Sequence, residues 1–96
     1  MPGYFVAFVD VNDPEKYKNY TALTPAAVAA YGGEFVVRGG DLMAVEGPAE
    51  NRRCVVIKFP SVEAAHAFWN SPEYSLAKQE RAGAATMHAM IVDGVA

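Results

Sequence analysis

The stretch Phe59-Pro60-Ser61-Val62-Glu63-Ala64-Ala65-His66-Ala67-Phe68-Trp69-Asn70-Ser71-Pro72-Glu73-Tyr74 contains the end of an apolar strand, a strand terminator and two helix starts. Pro60 has no N–H and cannot continue a central ladder. Ser61 can then cap the unpaired amides of a helix whose first turn carries Glu63 at the positive end of the dipole. At Ser71-Pro72-Glu73 the same logic recurs, with a capping hydroxyl, a proline at the first helical position and a carboxylate after it. The rest of the chain is read outward from these boundaries.

Upstream, Arg53 to Phe59 reads as a strand, Cys54, Val56 and Lys58 alternating with Val55, Ile57 and Phe59. Tyr4 to Val11 is nearly continuous in β-branched and aromatic residues and reads as a strand buried on both faces. Asp13-Pro14-Glu15 starts a helix by cap, proline and acid. Tyr17, Tyr20, Thr24, Ala27, Val28 and Tyr31 follow at helical spacing. Pro25 interrupts that pattern and predicts a kink or a restart, and Gly32-Gly33 ends the helix. Glu34 to Arg38 is a further strand, Gly39-Gly40 predicts a bulge or a bend, and Leu42 to Glu46 resumes an extended pattern before the turn at Gly47-Pro48. Downstream, the second helix of the quoted stretch ends near Gly83, and Thr86 to Val92 is the last strand.

Ninety-six residues make one domain spanning 1–96, with no room for a second core. The order β-α-β-β-α-β is the ferredoxin-like α+β plan with an antiparallel sheet. Such a sheet has helices on one face only. Yet all its strands are apolar on both faces, and 52% of the chain is hydrophobic. The expected solution is a homodimer in which two open sheet faces cover each other.

A net charge of −3 disfavours nucleic-acid binding, which needs a basic surface. The single cysteine, Cys54, excludes an intrachain disulfide, suits a reducing compartment and reads as an inert thiol. No window is apolar enough to span a membrane, and Met1-Pro2-Gly3 lacks the basic lead of a signal peptide. The expectation is a cytoplasmic protein that engages neither nucleic acid nor membrane.

Tyr31-Gly32-Gly33, Arg38-Gly39-Gly40, Phe59-Pro60-Ser61, Ser71-Pro72-Glu73-Tyr74 and Arg81 stand in an order and spacing that resembles domain-of-unknown-function family 1330. That family is similar to the dimeric α/β-barrel superfamily, which includes cofactor-free monooxygenases, haem-degrading enzymes and small lactone isomerases. The resemblance implies the fold and the dimer. It carries no catalytic set onto this chain and calls for no cofactor.

The candidate ligand-binding residues are Arg38, His66, Trp69, Tyr74, Arg81 and His88. Arg38 could grip a carboxylate by two parallel hydrogen bonds, or pair structurally with Glu34, Asp41 or Glu46. Arg81 could join it in anchoring an acidic or enolic group, or simply complement a helix C-terminus. His66 could move a proton or bind haem iron, against the plainer reading of an ordinary helix histidine. His88 lines a cleft if its side of the strand faces the helices, and a dimer interface if it does not. Trp69 and Tyr74, with the helical tyrosines, could roof an aromatic pocket or simply pack as core. The histidines and Cys54 match no metal-ligand spacing. The function expected is small-molecule binding in a cleft between sheet and helices, with cofactor-free oxygenase or isomerase chemistry if the protein is an enzyme. The alternative is a non-enzymatic dimeric scaffold or ligand carrier.

Overall fold

In a computed structural model describing residues 1–95, the chain runs β1 (Gly3–Val11), α1 (Pro14–Ala30), β2 (Glu34–Arg38), β3 (Arg53–Phe59), α2 (Val62–Trp69), α3 (Pro72–Arg81) and β4 (Ala85–Asp93). The strands form one antiparallel sheet in the order β2-β3-β1-β4. This is the ferredoxin-like plan, with the second crossover built from two short helices.

Each helix begins where a side-chain oxygen takes up an otherwise unpaired amide. Asp13 accepts from Lys16 N at 3.1 Å, Ser61 from Ala64 N at 3.0 Å and Ser71 from Tyr74 N at 3.0 Å. Caps of this kind contribute about 1 kcal/mol each. Pro14 and Pro72 occupy the first helical positions, where a missing N–H costs nothing.

Pairing fixes which residues share a face. Phe5, Ala7 and Val9 of β1 lie beside Ile57, Val55 and Arg53 on one side and Ile91, Ala89 and Met87 on the other. This side lies under the helices and holds the core with Phe59, Phe68, Tyr74, Tyr17 and Tyr20. On the opposite side lie Tyr4, Val6 and Phe8, flanked by Val56 and Met90, and no helix covers them. The molecule is accordingly a slab whose Cα extents are 32 × 31 × 16 Å, one sheet with one layer of helices.

Two local expectations are corrected. Pro25 does not restart α1, which runs through it to Ala30. Leu42 to Glu46 forms no strand, having no ladder partner among the described residues. The bulge lies between Phe35 and Val37, just before the glycine pair. Gly39 instead ends the strand at a φ of 73°, a conformation cheap only for glycine.

Gly3 shows how closely the quoted stretch grips the sheet. A Cβ at this position would lie 2.6 Å from Ser61 O and 2.7 Å from Val62 Cα, both backbone atoms. Gly3→Ala is expected to lower unfolding stability by roughly 1–3 kcal/mol. Gly40→Ala, with no atom within 4 Å of the added carbon, is expected to change it by less than about 0.5 kcal/mol. Urea denaturation of the two variants against the parent checks both values.

Candidate functional site

A cavity of about 20 Å³ lies between α1 and the helix-covered face of β1, β2 and β3. Tyr17 and Tyr20 of α1, Phe5, Phe35, Phe68 and Met87 supply its apolar walls. The polar groups on its lining are Thr21, Thr24, Arg38 and Arg53, with the two tyrosine hydroxyls. The volume is enough for about one water-sized group.

Two features aim Arg38 at this cavity. After the β2 bulge, Arg38 pairs with Val55 rather than Cys54, and so joins Phe35 on the helix side of the sheet. A bulge that re-aims a side chain is a recurrent device near binding sites. Pro25 supplies the second feature, because it has no N–H to offer the carbonyl of Thr21, four residues earlier, and its ring crowds that carbonyl. The Arg38 guanidinium donates to this carbonyl instead, Nη2 to Thr21 O at 2.9 Å, and lies 4.4 Å over the Phe35 ring. A weaker contact reaches Thr24 Oγ1 at 3.5 Å.

Arg53 and Arg81 complete a group of cations around the same aromatic residues. Neighbouring Arg52 is fully engaged by Glu50, which accepts at 3.0 Å and 2.9 Å and whose carboxyl is held down at about 2 by these hydrogen bonds. Arg53 has no such partner. Among the described residues the ion pairs are Lys18–Glu15 and Arg52–Glu50, so Arg38, Arg53 and Arg81 all lack a carboxylate. The Nε atoms of Arg53 and Arg81 are buried with no hydrogen-bond partner. The Arg53 terminal nitrogens pack over Gly39, where a Cβ would collide with them. Arg81 lies 5.6 Å from the Tyr20 ring centre and reaches Tyr74 Oη at 3.5 Å.

The tyrosines between these cations stay neutral. Burial raises the Tyr17 pKa, with Arg53, Arg81 and Arg38 all pulling it back. Burial also raises that of Tyr20, reinforced by Tyr74, whose hydroxyl lies 2.9 Å away. The phenols can therefore donate or accept hydrogen bonds at neutral pH without supplying negative charge.

The sequence candidates separate into three places. Arg38 lines the cavity, and Tyr74 and Arg81 lie directly behind Tyr20. Trp69 stacks on Tyr74 at 5.1 Å and under Lys78, whose Nζ lies 4.5 Å from the ring. With exposed His66 it borders a separate groove beside β4. His88 pairs with Phe8 on the open sheet face, so neither histidine lines the cavity under α1. Arg53 went unnoticed in the sequence reading. Its parity with Val55 and Ile57 along β3 was the available signal.

Sheet, crossover and one-sided helix layer define a ferredoxin-like α+β protein with a cleft beneath its first helix. Residues 2–95 match the model of a domain of unknown function, DUF1330, and the chain belongs to that family. No curated protein matches the sequence. Among solved structures, the chain is similar to the RPA0582 protein of unknown function from Rhodopseudomonas palustris, with 22% identity and a TM-score of 0.74 over 99% of this chain and 83% of that one. It is also similar to SnoaB, a cofactor-independent oxygenase from Streptomyces nogalater, with 17% identity and a TM-score of 0.69 over 99% and 94% of the two chains. A dimeric ferredoxin-like protein of unknown function from Jannaschia sp. CCS1 aligns at 9% identity and a TM-score of 0.71, over 98% and 100%. At these identities the likeness is one of fold.

The carbonyl freed by Pro25 links α1 to Arg38, and a double-mutant cycle measures the link. Arg38→Ala is expected to cost roughly 1–2 kcal/mol in the parent, where it strips the Thr21 carbonyl of a charged donor. In a Pro25→Ala background the carbonyl regains a helical amide and the cost should fall by at least about 0.5 kcal/mol. Equal costs in both backgrounds would show that the two residues act separately.

Proposed function

We propose that this chain is a homodimeric protein that binds a small organic molecule in the cleft between its sheet and α1. The observation that carries the reading is the cavity lining, in which aromatic walls surround Arg38 and Arg53 and no carboxylate intervenes. Pockets for small organic molecules have this make-up, largely apolar with a few convergent polar groups.

The dimer half of the reading rests on the uncovered sheet face. Tyr4, Val6, Phe8, Val56, Met90 and Val92 share that face, and Met90 and Val92 are 38% and 46% exposed in the single chain. Lys58, His88 and Arg52, whose guanidinium lies over the Phe8 ring, border this apolar row. A largely apolar sheet surface suits a partner, and the likeness to a dimeric ferredoxin-like protein supports a second copy. His88 would then lie in the interface. Sedimentation at micromolar concentration should give twice the 10.3 kDa chain mass. Val6→Glu, which sets a charge between Val56 and Met90, should give a monomer or an aggregate. A parent protein that sediments as a monomer overturns this half of the reading.

Cofactor-free oxygenase or isomerase chemistry is the enzymatic form of the proposal, supported by the likeness to the cofactor-independent oxygenase SnoaB. A ligand carrier is the second form. It is favoured by the absence of both histidines from the cavity lining and by the neutral Tyr17 and Tyr20, which leave no ready base there. Incubation with enolisable aromatic ketones separates the two, because oxygen uptake or isomerisation supports an enzyme and saturable binding without turnover supports a carrier.

A further inference from the structure

The cleft reading leaves the chemistry of the ligand open, and the three arginines narrow it. A guanidinium removed from water is normally paired with an acid, because a lone buried cation is costly. Here exposed Arg38 and half-buried Arg53 and Arg81 gather around Tyr17, Tyr20 and Tyr74 with no carboxylate among the described residues, and the Nε atoms of Arg53 and Arg81 are the ones cut off from water. The chain as a whole is acidic, with a net charge of −3, so carboxylates are available in its composition but are not used at this place. The Nε–H of Arg53 is buried and unmet, while its terminal nitrogens pack over Gly39. A guanidinium held in this way keeps its Nε edge for an acceptor, and a carboxylate suits that edge.

We propose that the cleft selects an aromatic carboxylate, with Arg53 as the residue that receives the carboxyl group; this rests on the cavity being the binding site. The cavity volume of about 20 Å³ holds one water-sized group, so it takes a carboxylate oxygen and not a ring. The ring lies toward the mouth, against Phe35, where the exposed Arg38 side chain stacks. Arg38 moves off Phe35 to admit it and adds a second cation beside the bound acid. Arg81, held behind Tyr20 by Tyr74, adds attraction without direct contact.

The test is calorimetric titration of the full chain with 2-naphthoate and with its neutral isostere 2-naphthamide. The acid is expected to bind at least about tenfold more tightly than the amide, as loss of a charge-assisted hydrogen bond implies. Arg53→Gln should weaken the acid by about tenfold or more and leave the amide within about twofold. Arg53→Lys keeps the charge but lacks the Nε edge, and it should weaken the acid as well. Circular dichroism and the melting temperature establish that both variants are folded. Equal binding of acid and amide by the parent overturns the choice of an anion and leaves the cleft reading intact. If the acid binds and both Arg53 variants bind it unchanged, the assignment of Arg53 is overturned. If neither compound binds, the cleft reading falls and the inference falls with it.

Discussion

Phe68 is the side chain on which the arrangement depends. It meets Phe5 of β1 edge-on at 5.8 Å, Phe59 of β3 at 5.1 Å and Tyr74 of α3 at 4.7 Å. One ring from α2 thereby ties two strands to the following helix, in geometries that favour aromatic pairs. Through Tyr74 the contact continues to Tyr20 on α1. The helix layer is thus positioned on the sheet by a chain of rings, and the cavity is the gap left where that chain meets β2 and β3. Its walls have few alternative rotamers, since close-packed aromatic neighbours leave little free volume.

Most of the architecture was legible in the residues because it is encoded locally. The bounds of β2 and β3 follow from alternation between glycine and proline, and the helix starts follow from Asp13, Ser61 and Ser71. The face of His88 could not be read, because a strand apolar on both sides gives no parity signal. Register against β1 decides it. The site was legible only in part. Arg38 drew attention as a charge beside glycines, but the bulge that turns it inward lies between Phe35 and Val37, in a run of residues with no glycine to announce it. Arg53 was hidden for a different reason. Its neighbour Arg52 has the same charge, and only pairing reveals that one meets Glu50 while the other has no acid.

The unequal treatment of the two sheet faces explains how a short chain reaches a high hydrophobic content. On the helix side, apolar residues close a core within the chain itself. On the other, half-buried Tyr4, Val6 and Phe8 form a second apolar row that no described helix covers, bordered by Lys58, His88 and Arg52. Burial of such area stabilises at roughly 25 cal/mol per Å², so a single chain leaves a substantial part of its driving force unused.

Pro25 has a consequence for motion. A helix that surrenders one internal bond in its middle turn leaves an oxygen for other donors, and here Arg38 from edge strand β2 takes it at 2.9 Å beside a longer contact from Thr24 Oγ1 at 3.3 Å. Whenever the guanidinium departs, the oxygen keeps only the longer contact from the Thr24 hydroxyl, and the backbone amides around that turn exchange faster with bulk water. The helix thereby registers, along its own axis, what happens at a strand seventeen residues away in sequence.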